Sequence, residues 1–350
     1  MVVGSIEDIT HRLTAARRMS KNASRRIAAT ALCASCVAFS AVATAAATAA
    51  DTYPTRPLRL IVPFPPGGGT DIMARLVQQR LNDAWGVQVV VDNRGGAGGI
   101  IGTGLTAKAS PDGYTMMIGS VSTICINAAL HKNLPFDTTK DLAPISLVAS
   151  TPSLLVVGSA VPAKSVKELI ALVKAKPGQL SFASPGSGSS AHLGGELFKQ
   201  AAGIDIQHVP YKGTGPAVTD LVSGQVAMFI TNMPSVLPMV KANRLRALAV
   251  TSLQRSPLMP ELPTVAESGM AGFEVIVWYG VFAPAATPKA IITRLNQELR
   301  KMSDQAEVKE RLSLQGAEAM SSTPEALAQR VRDDLAKWEK IVKSSGAKAE

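Results

Sequence analysis

From Arg56 onward, short apolar runs alternate with stretches whose apolar residues recur every three or four positions, a pattern that predicts parallel α/β layers. Leu58 to Val62 reads as the first strand. Ile72 to Trp85 reads as a helix, because Ile72, Leu76 and Leu81 fall near the helical period of about 3.6 residues. Val87 to Val91 is the second strand, and a helix after Gly98, a strand from Tyr114 to Ile118 and a helix near Ile124 to Leu130 complete one set. Ile145 to Val157 is a long apolar segment interrupted by Thr151-Pro152. A second set follows in the same order: helix Val166 to Ala175, strand Leu180 to Ala183, helix Ser190 to Ala201, strand Ile206 to Val209, helix Pro216 to Val222 and strand Val226 to Ile230. Two C-terminal helices are predicted as well, since Thr287-Pro288 and Thr323-Pro324 each offer a cap and a proline for the first helical position. Leu295 and Leu299 would line one of them, and Leu327, Val331, Leu335 and Trp338 the other, as apolar stripes packed on the first lobe.

The two sets share more than element order. Pro66-Gly67-Gly68-Gly69-Thr70 and Pro185-Gly186-Ser187-Gly188-Ser189 both fit P-G-x-G-[ST] between a strand and a helix. Arg94-Gly95-Gly96 begins 27 residues after Gly67, and Lys212-Gly213-Thr214-Gly215 begins 26 residues after Gly186. Two similar lobes account for this spacing better than one sheet does. Open α/β sheets bind ligands outside the carboxyl ends of their strands, so the expected site is a cleft fed by both junctions.

Those junctions carry the candidate chemistry. In the first, Pro63, Pro65 and Pro66 fix the exit from the strand, while Gly67, Gly68 and Gly69 leave backbone N–H groups uncovered. Thr70 or Asp71 is expected to start the helix. Such a junction aims N–H donors and the positive end of a helix dipole at an anion, with no need of lysine or arginine. In the second, Ser184, Ser187, Ser189 and Ser190 add hydroxyls able to donate to carboxylate oxygens. Asp71 has three readings: it receives an ammonium group, orients a water, or points away as a cap. His192 and Lys212 each read either as structural residues or as ligand contacts.

Composition narrows the field. Arg17, Arg18, Lys21, Arg25 and Arg26 precede an uncharged, alanine-rich stretch from Ile27 to Ala50, which reads as a signal peptide cleaved near residue 50 and a periplasmic destination. Cys33 and Cys36 lie in that leader, so only Cys125 remains and no internal disulfide is possible. The leader holds 6 of the 36 Lys+Arg and 2 of the 26 Asp+Glu; the remainder carries 30 against 24, a net +6 in place of +10. That charge is scattered and aromatics make up only 4% of the chain, which excludes a nucleic-acid partner. No phosphate-loop lysine, G-x-S-x-G elbow or H-E-x-x-H pair is present, so no cofactor, metal or catalytic residue is expected. Cys125 with a distant histidine stays open as a thiol nucleophile beside its reading as buried core.

In their order along the chain, "YPTRPLRLIVPFPPGGGTDIMARL", "VVVDNRGGAGGIIGT", "SPDGYTMMIG", "GSGSSAHLGGELF", "VPYKGTGPAVTDLVSGQV", "RALAVTS" and "LPTVAESGMAGFEVIVWYGVFAPAATPKAIITRLN" resemble the Bug family of extracytoplasmic solute receptors, the substrate-binding proteins of tripartite tricarboxylate transporters. The resemblance implies a periplasmic binding protein of type II-like fold, with two α/β lobes joined by two crossing strands around a ligand cleft. The crossings would be Ile145 to Val157 and Phe273 to Phe282. Lobe 1 would comprise residues 51–150 plus 275–350, and lobe 2 residues 151–274. Carried onto this chain, the ligand contacts are Phe64, Gly68, Gly69, Asp71, Ser120 and Ser122 from lobe 1, and Ser184, Ser187, Ser189, Ser190, Thr214 and Asn232 from lobe 2. The implied activity is non-enzymatic: a monomer captures a small carboxylate by hinge closure and presents it to a membrane transporter or to a signalling receptor. A secreted hydrolase is the alternative.

Overall fold

The computed structural model describes residues 52–345; the predicted signal segment over residues 1–50, with Cys33 and Cys36, lies outside the described residues. Strand β1 (Leu58–Val62) leads through the glycine junction into α1 (Gly69–Trp85), followed by β2 (Val89–Asn93), α2 (Ile100–Ala107) and β3 (Thr115–Ser120). β1 pairs in parallel with both β2 and β3. Covered on both faces, it reads LRLIV as a near-continuous apolar run rather than an alternation. After β3, one turn of π-helix (Ser122–Ile126) runs into the short α3 (Asn127–Leu130) where a single helix is predicted.

The 17-residue β4 (Leu142–Gly158) belongs to both lobes. Its first part, Leu142 to Pro152, pairs antiparallel with β9 (Ile276–Pro284), which in turn pairs with β3. Its second part, Ser153 to Gly158, runs between β7 (Met228–Asn232) and β8 (Leu245–Val250). Beyond β7 lie β5 (Ser181–Ser184) and β6 (Gln207–Pro210), both parallel, giving the order β2-β1-β3-β9-β4-β7-β5-β6. Helices α4 (Val166–Ala175), α5 (Ser190–Ala202), α6 (Thr214–Ser223) and α7 (Met233–Lys241) surround this second part.

The return crossing is made beside the first. Val275 N donates to Thr251 O at 3.0 Å, and Thr251 Oγ1 donates back to Val275 O at 2.6 Å, tying the chain to the second lobe. One residue later Ile276 opens β9 opposite Pro152. Both passages therefore meet at a single strand-pair position, where the proline supplies no N–H to the ladder.

The C-terminal segment forms α8 (Lys289–Asp304), α9 (Ala306–Ser313), the two-residue β10 (Glu318–Ala319) and α10 (Pro324–Ser345). At α10 the predicted cap is present, with Thr323 Oγ1 accepting from Ala326 N at 3.2 Å. At α8 it is not. Pro288 occupies the N-cap position itself, and Thr287 Oγ1 is buried without a hydrogen-bond partner. Nor does α10 rest on the first lobe alone, because it touches α5 as well as β4. Its Asp334 accepts from Trp278 Nε1 on β9 at 2.5 Å, which anchors the helix to the crossing strand.

Candidate functional site

At the first junction Gly67 adopts φ +87°, a conformation that side chains resist, and Gly68 is the N-cap of α1 with no side-chain bond to it. The helix thus starts at Gly69, ahead of the expected Thr70 or Asp71. Asp71 reaches back instead. Its carboxylate accepts from Gly67 N at 3.1 Å, Arg75 Nε at 3.1 Å and Asn93 Nδ2 at 3.0 Å, and the same Asn93 amide donates to Phe64 O at 3.0 Å. Burial raises the Asp71 pKa, but the bonds from Asn93, the Gly67 amide and Arg75 outweigh it and hold the group below its ordinary value. Asp71 is therefore a fastener that sets the loop's curvature from behind.

The second junction is built on the same plan with different fasteners. Ser189 caps α5 by accepting from His192 N at 3.2 Å, and Gly188 N donates to His192 Nδ1 at 3.2 Å. Ser184 Oγ accepts from Gly186 N at 3.2 Å and lies 2.7 Å from His208 Nε2. The two imidazoles stack at 4.1 Å. Burial, and secondarily His208, pushes the His192 pKa down to about 3, so its ring stays neutral and Nδ1 stays an acceptor.

Between the junctions lies a cavity of about 30 Å³ lined by Phe64, Gly68, Gly69, Ser120, Ser122, Ser189, Ser190, Thr214 and Asn232 of the predicted contacts, with Thr70, Pro185, Ala191, Thr231, Val277 and Tyr279 besides. Not one of these side chains carries a charge. Such a volume holds one or two waters. Asp71 and Ser184 stand behind the lining, their polar atoms engaged with Asn93 and His208. Ser187 lies in an outer hollow of about 710 Å³ together with Lys212 and His131, and Phe64 and Pro185 line both spaces.

The lobes touch through their glycines. A Cβ at Gly68 would come within 3.2 Å of Thr214 Oγ1, one at Gly69 would meet Asn232 Oδ1 at 2.6 Å and the Tyr279 hydroxyl, and one at Gly213 would meet Pro65 Cγ at 2.9 Å. A Cβ at Gly98 would run into the Ser187 carbonyl. Across the same face Ser190 N, the first amide of α5, donates to Ser122 Oγ at 2.9 Å. The arrangement offers two helix starts, the second with its first amide on the Ser122 hydroxyl, together with several hydroxyls and one amide side chain, a set suited to an anion.

Tyr279 escapes the list of predicted contacts. It is 1% exposed, its hydroxyl has no hydrogen-bond partner, and burial pushes its pKa well above the ordinary value. The alternation of a strand holds the clue: Trp278 turns to α10, so its neighbour must face the other side. Cys125 is not part of the lining. Its Sγ lies 3.7 Å from Val331 O, and burial pushes the thiol pKa well up, leaving it protonated.

Residues 73–347 match the family described as "Tripartite tricarboxylate transporter family receptor". The chain is 43% identical over 300 residues to Protein BugT of Bordetella pertussis, covering 85% of this chain and 92% of that one. Among solved structures, R. palustris Rpa4515 with adipate superposes with a TM-score of 0.82 at 37% identity, covering 84% of this chain and 98% of that one. MatC from Rhodopseudomonas palustris with bound malate gives 0.79 at 32% identity, covering 83% and 100%.

Proposed function

The chain belongs to the tripartite tricarboxylate transporter family of receptors, the Bug proteins among them, and on that premise we propose that it captures a small carboxylate in the periplasm by hinge closure and delivers it to a transporter of that type. Lobe 1 is residues 51–150 plus 275–350 and lobe 2 is residues 151–274, turning about the Pro152–Ile276 pair. The observation that carries the reading is the neutral cavity between two glycine junctions, each opening a helix. A helix N-terminus favours an anion by about 0.3–1 kcal/mol, and more in a water-excluded site. Two such ends aimed at one ligand reward only the conformation in which both reach it. Because about 30 Å³ is too small for a dicarboxylate, capture requires the lobes to part and then close on the ligand.

The relatives bound to adipate and malate support a carboxylate of that size. The ligand contacts are Phe64, Gly68, Gly69, Ser120, Ser122, Ser189, Ser190, Thr214 and Asn232, with Asp71 and Ser184 shaping the loops and Ser187 lining the outer hollow. No bond is made or broken, and the protein acts as a monomer. The test is a thermal-shift screen of di- and tricarboxylates, aromatic acids and amino acids, followed by calorimetry. A true ligand at about 100 times its dissociation constant raises stability by about 2.7 kcal/mol. A screen without a single hit rejects the reading.

A further inference from the structure

We infer that the Tyr279 hydroxyl is the ligand-selecting donor of the cavity, giving its proton to a carboxylate oxygen of the captured anion; this rests on the receptor reading above. A phenol sealed inside a protein ordinarily finds a hydrogen-bond partner, and this one is 1% exposed with none. It lines the cavity. In the sheet, Tyr279 lies directly across from Ser120 on β3 and from Ala149 on β4. Directly opposed residues share a face, so the ring stands between the Ser120 side chain on one flank and the Ala149 methyl group on the other.

Three groups converge at that point. The position a Cβ would take at Gly69 collides with the Tyr279 oxygen and with Asn232 Oδ1, so the phenol lies over the first residue of α1, where that helix's N–H donors open. The Asn232 amide is already oriented, because its Oδ1 accepts from Ser235 Oγ at 2.6 Å. It does not satisfy the phenol. With no charged side chain in the lining, the donors here select an acceptor-rich group, and a carboxylate, the class the relatives bind, can accept from a helix terminus and an O–H at once. Glycine at 69 is what lets that group approach.

The experiment is Tyr279→Phe, with calorimetry against adipate, malate and a panel of other di- and tricarboxylates, and thermal melts of both proteins without ligand. The variant should bind roughly tenfold more weakly or worse. Its unliganded melting temperature should be equal or higher, because the lost hydroxyl bonded nothing in the fold. Equal affinity in the two proteins overturns this inference alone. A clear drop in unliganded melting temperature overturns it too, since the hydroxyl would then serve the fold. A wild-type protein that binds no carboxylate overturns both this inference and the receptor reading.

Discussion

Replacing Gly69 by alanine crowds the place where the proposed lobes meet. Gly69 is the first residue of α1 and its backbone lies outside the left-handed region, so alanine fits the helix locally and slightly favours it. The added carbon, however, would sit 2.6 Å from Asn232 Oδ1 and 2.8 Å from Asn232 Cγ. Ordinary contact needs about 3.5 Å, so roughly 0.9 Å must be found against Oδ1. Asn232 cannot simply swing aside, because Ser235 holds its amide. The strain falls on the meeting of the lobes through Asn232, and within lobe 1 as well, where the same carbon collides with the Tyr279 hydroxyl. Overpacking of this kind costs about 1–3 kcal/mol, which translates to roughly 5- to 150-fold weaker binding of whichever carboxylate binds best. Calorimetry reads the affinity and an unliganded melt reads the fold, whose stability the Tyr279 contact should lower by less than the affinity falls. Gly215→Ala is the matched control: nothing lies within 4 Å of its added carbon, and its affinity should not change. Wild-type affinity in Gly69→Ala, or an equal loss in Gly215→Ala, would refute the steric reasoning.

Asp71→Asn should weaken all carboxylates alike and cost about 1–2 kcal/mol of stability above pH 4, because the charge it removes fastens the loop through Gly67, Asn93 and a half-exposed Arg75; a loss confined to ligands bearing an amino group would instead make Asp71 a direct contact. His192 should make the fold acid-sensitive. Its folded pKa of about 3 lies below the ordinary value of 6.5, so the unfolded chain takes up the proton first and stability falls as the pH drops through that window. Between pH 7 and pH 5 this histidine alone accounts for about 2 kcal/mol, so urea unfolding of His192→Asn should show a shallower pH slope than the wild type; parallel slopes would count against the assignment.

Much of the site was legible because turn chemistry is local. The P-G-x-G-[ST] repeat announces both junctions from a handful of residues, and the structure sets both at helix starts. The less legible features depend on partners chosen in three dimensions. Asp71 is turned away by Asn93 on β2, and Ser184 by His208 on β6; both partners lie more than twenty positions along the chain. The early start of α1 leaves no capping side chain to read. β8 and α7 lacked a strong signal, one being alanine-rich and the other carrying Pro238 within the helix. The contrast between Thr287 and Thr323, both followed by proline, arises because the same dipeptide settles one register apart at the two helices.

The bare contact surface at Gly68, where an added carbon would meet only Thr214, has a practical corollary for anyone surveying variants of this protein. A small side chain planted there offends nothing while the lobes stand apart, so assays of expression, solubility or heat resistance would pass it as sound. The defect would surface only when cargo tries to draw the jaws together. On the proposed closure, that position is guarded only through ligand binding, and laboratory screens for robustness will overlook it.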